Sequence, residues 1–211
     1  CCSQSANGDF TFDNNYGLPL ATLQVEEGCT VRNNKNSNMR IGSVTGGGTL
    51  GGSHGWTVGN DSGQLNSFSG TITGSLTKVG NNSLRLSGEN IFEGNTDIKN
   101  GSLVVGNIAK KTSATGCGTL TIHNQGILTG AGYIENKKVI IASGGILRPG
   151  MNYLNSLRIK SDIEQQQGGI IEWQLNGNNS VSAIREVGKL TLKGTLRIRL
   201  NKGYSAQLGD S

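Results

Sequence analysis

From Ser75 to Leu103 the chain reads SLTKVGNNSLRLSGENIFEGNTDIKNGSL, a series of short apolar positions spaced two apart, with glycine between the groups. Leu84 with Leu86, Ile98, and Leu103 with Val105 each form one side of a very short strand, and Gly80, Gly88, Gly94 and Gly101 fall where the chain turns. Apolar residues at every second position cannot build the stripe that a helix buries, so this stretch predicts strands alone. The signal recurs from Gln64 onward, at Phe68, Ile72, Leu76, Leu120 with Ile122, Val139 with Ile141, Leu157 with Ile159, and Leu196 with Ile198 and Leu200. Two stretches interrupt it. IAKKTSATGCG (108–118) is too polar for a core strand and long enough to protrude, and NGNNSVSAIREV (176–187) separates two good strands. Loops leaving a rigid scaffold are where binding residues usually sit.

Composition narrows the fold. With 34 glycines but only 2 prolines in 211 residues, the chain has neither collagen periodicity nor the make-up of a disordered linker. Aromatic residues are 5% and charged residues 16%, so stability has to come from stacking many small aliphatic side chains, as a solenoid does. In a parallel β-helix each turn hydrogen-bonds to the turns above and below. About eight turns of roughly twenty residues, with strands ~4.8 Å apart, make a rod on the order of 40 Å long. Asparagines at the corners, as in NNS (81–83), suit left-handed turns.

The first rung of such a rod exposes unpaired backbone, and the polar segment from Cys1 to about Met39, with its FTFDNNY and LATLQV stretches, is the expected cap. IGSVTGGGTLGGSHGWTVGNDSG (41–63) reads as loosely formed rungs or a long exposed loop. The expected division is a cap over 1–45 and a β-helix over 46–211.

The net charge of +5 favours acidic partners, but the basic residues are dispersed, adjacent lysines occurring only at Lys110/Lys111 and Lys137/Lys138. No aromatic-interleaved basic platform is present, which argues against nucleic acid. Cys1, Cys2, Cys29 and Cys117 are not spaced as metal ligands relative to His54 and His123. No metal or cofactor is expected. An even cysteine count points to disulfides and an oxidising compartment. Cys29 and Cys117 each bonded to one member of the Cys1/Cys2 pair is the favoured arrangement; one disulfide within the first 29 residues and two free thiols is the alternative.

Candidate chemistry is sparse. Asn60-Asp61-Ser62-Gly63 has the look of a serine-nucleophile loop, but only His54 lies upstream and no paired acid is placed with it; a turn is the simpler reading. Glu89, Glu93 and Asp97 recur four apart, but in a β-helix, where glycines turn the chain between very short strands, that spacing does not keep side chains on one side as it would on an α-helix. Trp173, in IIEWQL, shares a side with Ile171 and Leu175 and is expected in the core with Glu172 opposite. Trp56, amid GGSHGWTVGN, has no such partners and is expected to be exposed as a partner-binding residue, together with Lys110 and Lys111. Tyr133, Tyr153 and Tyr204 are expected in turns. No apolar run is long enough to cross a membrane as a helix.

The 75–103 stretch resembles the autotransporter-associated β-strand repeat of bacterial secreted passengers. The matching residues are Leu76, Lys78 and Gly80; Leu84, Leu86, Ser87, Gly88, Asn90, Phe92, Gly94, Thr96 and Ile98; then Gly101 and Leu103. GGILRPG (144–150), GGIIEWQLNG (168–177) and the stretch from Gly188 to Ser211 resemble later rungs of the same passengers. The resemblance implies a right-handed parallel β-helix, secreted or held at the surface of a Gram-negative bacterium through a C-terminal β-barrel translocator that this sequence lacks. Small basic passengers of this kind are similar to the angiogenic passengers of Bartonella, ligands of the vascular endothelial growth factor receptor. The implied function is that of a non-enzymatic virulence factor binding a host cell-surface receptor; the basic Lys110/Lys111 pair would suit an acidic receptor surface or a sulfated glycan co-receptor. An adhesin or self-associating surface protein, and behind it a glycan-cleaving enzyme, are the other readings.

Overall fold

The computed structural model describes residues 8–12, 16–106, 112–150, 156–175 and 182–200, and the backbone of 2–4. Parallel strands, with no helix among the described residues, stack as a β-solenoid of about 8 turns, and the strands fall on three faces.

On the first face the strands Trp56–Val58, Leu76–Lys78, Thr96–Ile98, Thr119–Ile122, Lys138–Ile141, Asp162–Gln165 and Leu190–Thr191 pair in sequence. Trp56, Leu76, Thr96, Leu120, Val139, Ile163 and Leu190 lie in one column. The second face stacks Leu65–Phe68, Ser83–Leu86, Gly101–Val105, Gly126–Gly130, Ile146–Pro149, Ile170–Leu175 and Thr195–Leu200, bringing Leu84, Leu103, Leu128, Leu147 and Ile171 into a continuous buried aliphatic ladder. The strand Met39–Gly46 serves both faces: Met39 pairs with Trp56, and Gly46 with Phe68.

The third face is interrupted. Thr30–Asn33, Thr49–Gly52 and Thr71–Ile72 form its lower part, and Tyr133–Ile134, Ser156–Ile159 and Ala183–Arg185 its upper part. Asn90 fills the gap. Its Oδ1 accepts from Ile72 N at 2.7 Å and its Nδ2 donates to Ala114 O at 2.8 Å. One buried side-chain amide thus takes the place of a peptide group and carries the ladder across a turn that has no strand there. Tyr133, expected in a turn, is a buried member of this face.

Parallel stacking begins before the expected boundary at residue 45. Leu18–Val25 pairs in parallel with Met39–Gly46, and Asp9–Phe12 with Thr30–Asn33. Among the described strands Cys2–Gln4 alone pairs antiparallel, across Asp9–Phe12, and an isolated antiparallel bridge joins Gly130 to Gly150. Pro19 sits in Leu18–Val25, an outermost strand, where a missing N–H donor costs no ladder bond. The 41–63 stretch is likewise no loose loop. Ile41, Val44, Leu50, Trp56 and Val58 are all buried, and its glycines answer to close packing: at Gly52, with φ 117°, a Cβ would meet Asn33 O at 2.1 Å.

The favoured disulfide pattern is not shown among the described cysteines. Cys29 and Cys117 are free thiols. Cys2 pairs with Phe12, whereas a Cβ on Gly8, at the other end of the same strand, would lie 3.7 Å from Cys29 Sγ. Four strand residues span ~13 Å, beyond the Cα separation of about 7 Å that a disulfide tolerates. Cys117 lies higher up the rod, its N–H donating to Phe92 O at 2.8 Å. Cys1 lies outside the described residues. Native thiol labelling followed by mass spectrometry is expected to modify the exposed Cys117 rapidly and the half-buried Cys29 slowly; protection of both without reductant would restore the disulfide pattern.

Candidate functional site

Of the residues expected to meet a partner, Trp56 is in the wrong place. It points inward, fully buried between Met39 and Leu76, with its ring edge-on to Phe12 at 6.3 Å between centroids. Lys110 and Lys111 lie outside the described residues. Ser62 belongs to a turn in which Asn60 Oδ1 accepts from its N–H at 3.1 Å and its own Oγ accepts from Gln64 N at 3.3 Å. Trp173 is half-buried against the core.

The carboxylates are engaged one by one. Asp97 meets His123 at 2.7 Å, Glu135 meets Lys160 at 3.0 Å, Glu164 meets Lys138, and Asp162 accepts from Lys189 N at 2.7 Å. Among the described residues no group of three His, Cys, Asp or Glu side chains is arranged to hold a metal ion.

Two features stand out on the surface. The first is an open groove of about 750 Å³ along one corner, lined by Ser53, His54, Ser75, Ile91, Phe92 and Glu93 among others. Ser53 Oγ lies 3.1 Å from His54 Nδ1, and Ile91 is 70% exposed at its rim. Its lining is mostly apolar and it is open to solvent, a shape suited to an extended segment lying along the rod.

The second feature is built on the second face. Glu172 alternates outward from Ile171, yet its side chain is 0% exposed because three guanidiniums cover it. Arg148 Nε donates to its Oε1 at 2.7 Å; Arg197 Nη1 and Arg199 Nε reach its Oε2 at 3.2 and 3.0 Å. Register explains the convergence. Glu172 pairs with Arg197 on the next strand, Arg199 follows two residues on along that strand, and Arg148 follows Leu147, which pairs with Ile171. Burial would push the Glu172 carboxyl pKa up, but Arg148, with Arg197 and Arg199, overrides it and holds the group below the ordinary carboxylate range. The arginine side chains remain 25%, 39% and 56% exposed. Chemically, the cluster offers surplus fixed positive charge and many N–H donors to an oxyanion.

Sequence reasoning missed this cluster. The signal available to it was that Glu172 and the arginines all hold outward positions in alternating strands (ILRP, IIEWQL and LRIRL); finding it requires knowing how many residues each turn of the solenoid contains. Comparison with protein-family models gives no match, and comparison with the curated proteins gives none either.

Proposed function

We propose that this solenoid is a recognition module: a secreted or surface-exposed passenger of a Gram-negative bacterium that binds a host cell-surface receptor. A single observation carries the reading. Charge is divided along the chain, the first 100 residues holding six Lys or Arg against eight Asp or Glu, and the remaining 111 holding thirteen against six. A rigid scaffold with one basic end is built to meet an acidic partner early and in a fixed orientation. The narrowest form of the proposal, a pro-angiogenic ligand of the vascular endothelial growth factor receptor, rests on size, basic charge and overall look rather than on a motif.

Purified protein is expected to bind endothelial cells, to raise receptor phosphorylation, and to bind less as salt rises. Replacing Lys110 and Lys111 together by Ser is expected to slow association, since basic charge accelerates encounter with an acidic partner. Salt-independent binding would overturn the electrostatic reading. Binding without receptor phosphorylation would favour the adhesin reading, for which a second observation speaks: Ile127, Ile146 and Ile170 stack in register at outward positions of the second face, a half-exposed apolar stripe suited to another copy or a matrix surface.

A further inference from the structure

The geometry points to a sulfate-binding site on the second face, in which Arg148, Arg197 and Arg199, held by the buried Glu172, receive a sulfate group of a sulfated glycan. This deepens the recognition reading and rests on it for the glycan's being encountered outside the cell.

The arrangement exceeds what a structural ion pair requires. A buried carboxylate loses its hydration before its partners compensate, and one well-placed guanidinium with a few hydrogen bonds suffices for that. Here three guanidiniums meet one carboxylate within 3.2 Å, leaving an excess of two positive charges in one small area. The anion is beneath and the cations are on top: Glu172 is 0% exposed while Arg199, on the last described strand, is 56% exposed. An incoming anion therefore meets guanidinium before carboxylate.

The donors are available and pre-oriented. Each guanidinium carries five N–H groups, and Glu172 engages one nitrogen of each. Holding long arginine side chains in place beforehand lowers the entropy lost when a ligand binds. Arginine does not deprotonate, and its planar fork chelates tetrahedral oxyanions through paired N–H bonds.

The surroundings favour a glycan over nucleic acid. Outward positions beside the cluster on this face are Ser102, Val104, Ile127, Thr129, Ile146 and Ile170, small or aliphatic and without an aromatic ring on which a base would stack. The basic column is also short, since Val104 and Thr129 separate Arg85 from Arg148, which suits one anionic group rather than a continuous phosphodiester backbone.

The test is binding to immobilised heparin at fixed salt. The wild type is expected to bind heparin at least tenfold more tightly than chemically desulfated heparin, with inorganic sulfate competing weakly. The Arg197→Ser/Arg199→Ser variant is expected to lose at least tenfold, with its melting temperature recorded to confirm folding, and Arg148→Ser provides a second variant from a different strand. Lys99→Ser/Lys137→Ser removes the same charge from exposed positions elsewhere and is expected to keep most of the affinity. Equal losses in both double variants would show that only net charge matters and overturn the site, as would parental binding by the arginine variant. Duplex DNA displacing heparin at equal charge would reassign the surface to phosphodiesters. The two proposals fail separately: wild type that ignores endothelial cells, with or without heparinase treatment, sinks the recognition reading, whereas parental heparin binding by the arginine variant sinks this site alone.

Discussion

Replacing Leu86 by Asp is expected to destabilise the rod by about 4 kcal/mol or more, and replacing Ile98 by Asp by less, although both side chains are fully buried. Leu86 stands between Phe68 and Val105 on the second face, so a carboxylate there faces aliphatic and aromatic carbon above and below. Ile98 stands between Lys78 and Ile122 on the first face, one strand spacing, ~4.8 Å, from the stem of a buried lysine. A carboxylate at 98 has a buried cation within reach and recovers part of its lost hydration as an ion pair. Because each turn is stabilised mainly by its neighbours, the damage spreads up and down the stack. Urea denaturation followed by the strand signal in circular dichroism gives both values. Equal losses would mean that the Lys78 ammonium stays committed to its corner, and a parental midpoint for Leu86→Asp would place that column outside the core.

What was legible in the sequence follows from the range of the interactions concerned. Leu84, Leu86, Ile98, Leu103 and Val105 were read as inward and are buried, because alternation within one strand is a local property and needs no knowledge of the next turn. The inward side of Trp56 is not legible locally, because its strand is only Trp56–Val58 and its apolar company, Met39 and Leu76, lies one turn away in either direction; locally it is surrounded by glycine. Those glycines looked like slack, but several are positions where a neighbouring turn's carbonyl leaves no room for a Cβ. The N-terminal segment looked like a cap because it is polar, yet it joins the parallel ladder through backbone groups, which composition does not report. The Glu172 cluster was hidden for the same reason as Trp56. Alternation correctly set Glu172 opposite Trp173, and only the register of adjacent turns places Arg148, Arg197 and Arg199 over it.

Lys78 is where sequence pattern and physical cost conflict most openly. It alternates with Leu76 onto the inner side of the first face and is buried there. Its Nζ lies within hydrogen-bond distance of Val79 O (2.6 Å), Gly80 O (3.0 Å), Asn82 Oδ1 (3.0 Å) and Asn100 O (3.2 Å), four acceptors that share its three N–H groups and fasten the corners of two successive turns. Replacing Lys78 by Met keeps the aliphatic stem but leaves those carbonyls without their donor, and is expected to cost about 3 kcal/mol. The cost should depend on pH in a definite direction. Burial lowers the Lys78 pKa to about 8 from the ordinary 10.5, with Asp61 pulling the other way. Between those two values the unfolded chain holds the proton and the folded chain does not, so this group's contribution to stability rises with pH across that window and is flat below it. Met does not titrate, and the other groups are common to both proteins. The stability gap between parent and Lys78→Met should therefore widen from pH 8 to pH 10 when both are unfolded in urea at matched ionic strength. A gap that narrows instead would mean that the four acceptors outweigh burial, hold the amine charged, and make the ammonium the species that the corner requires.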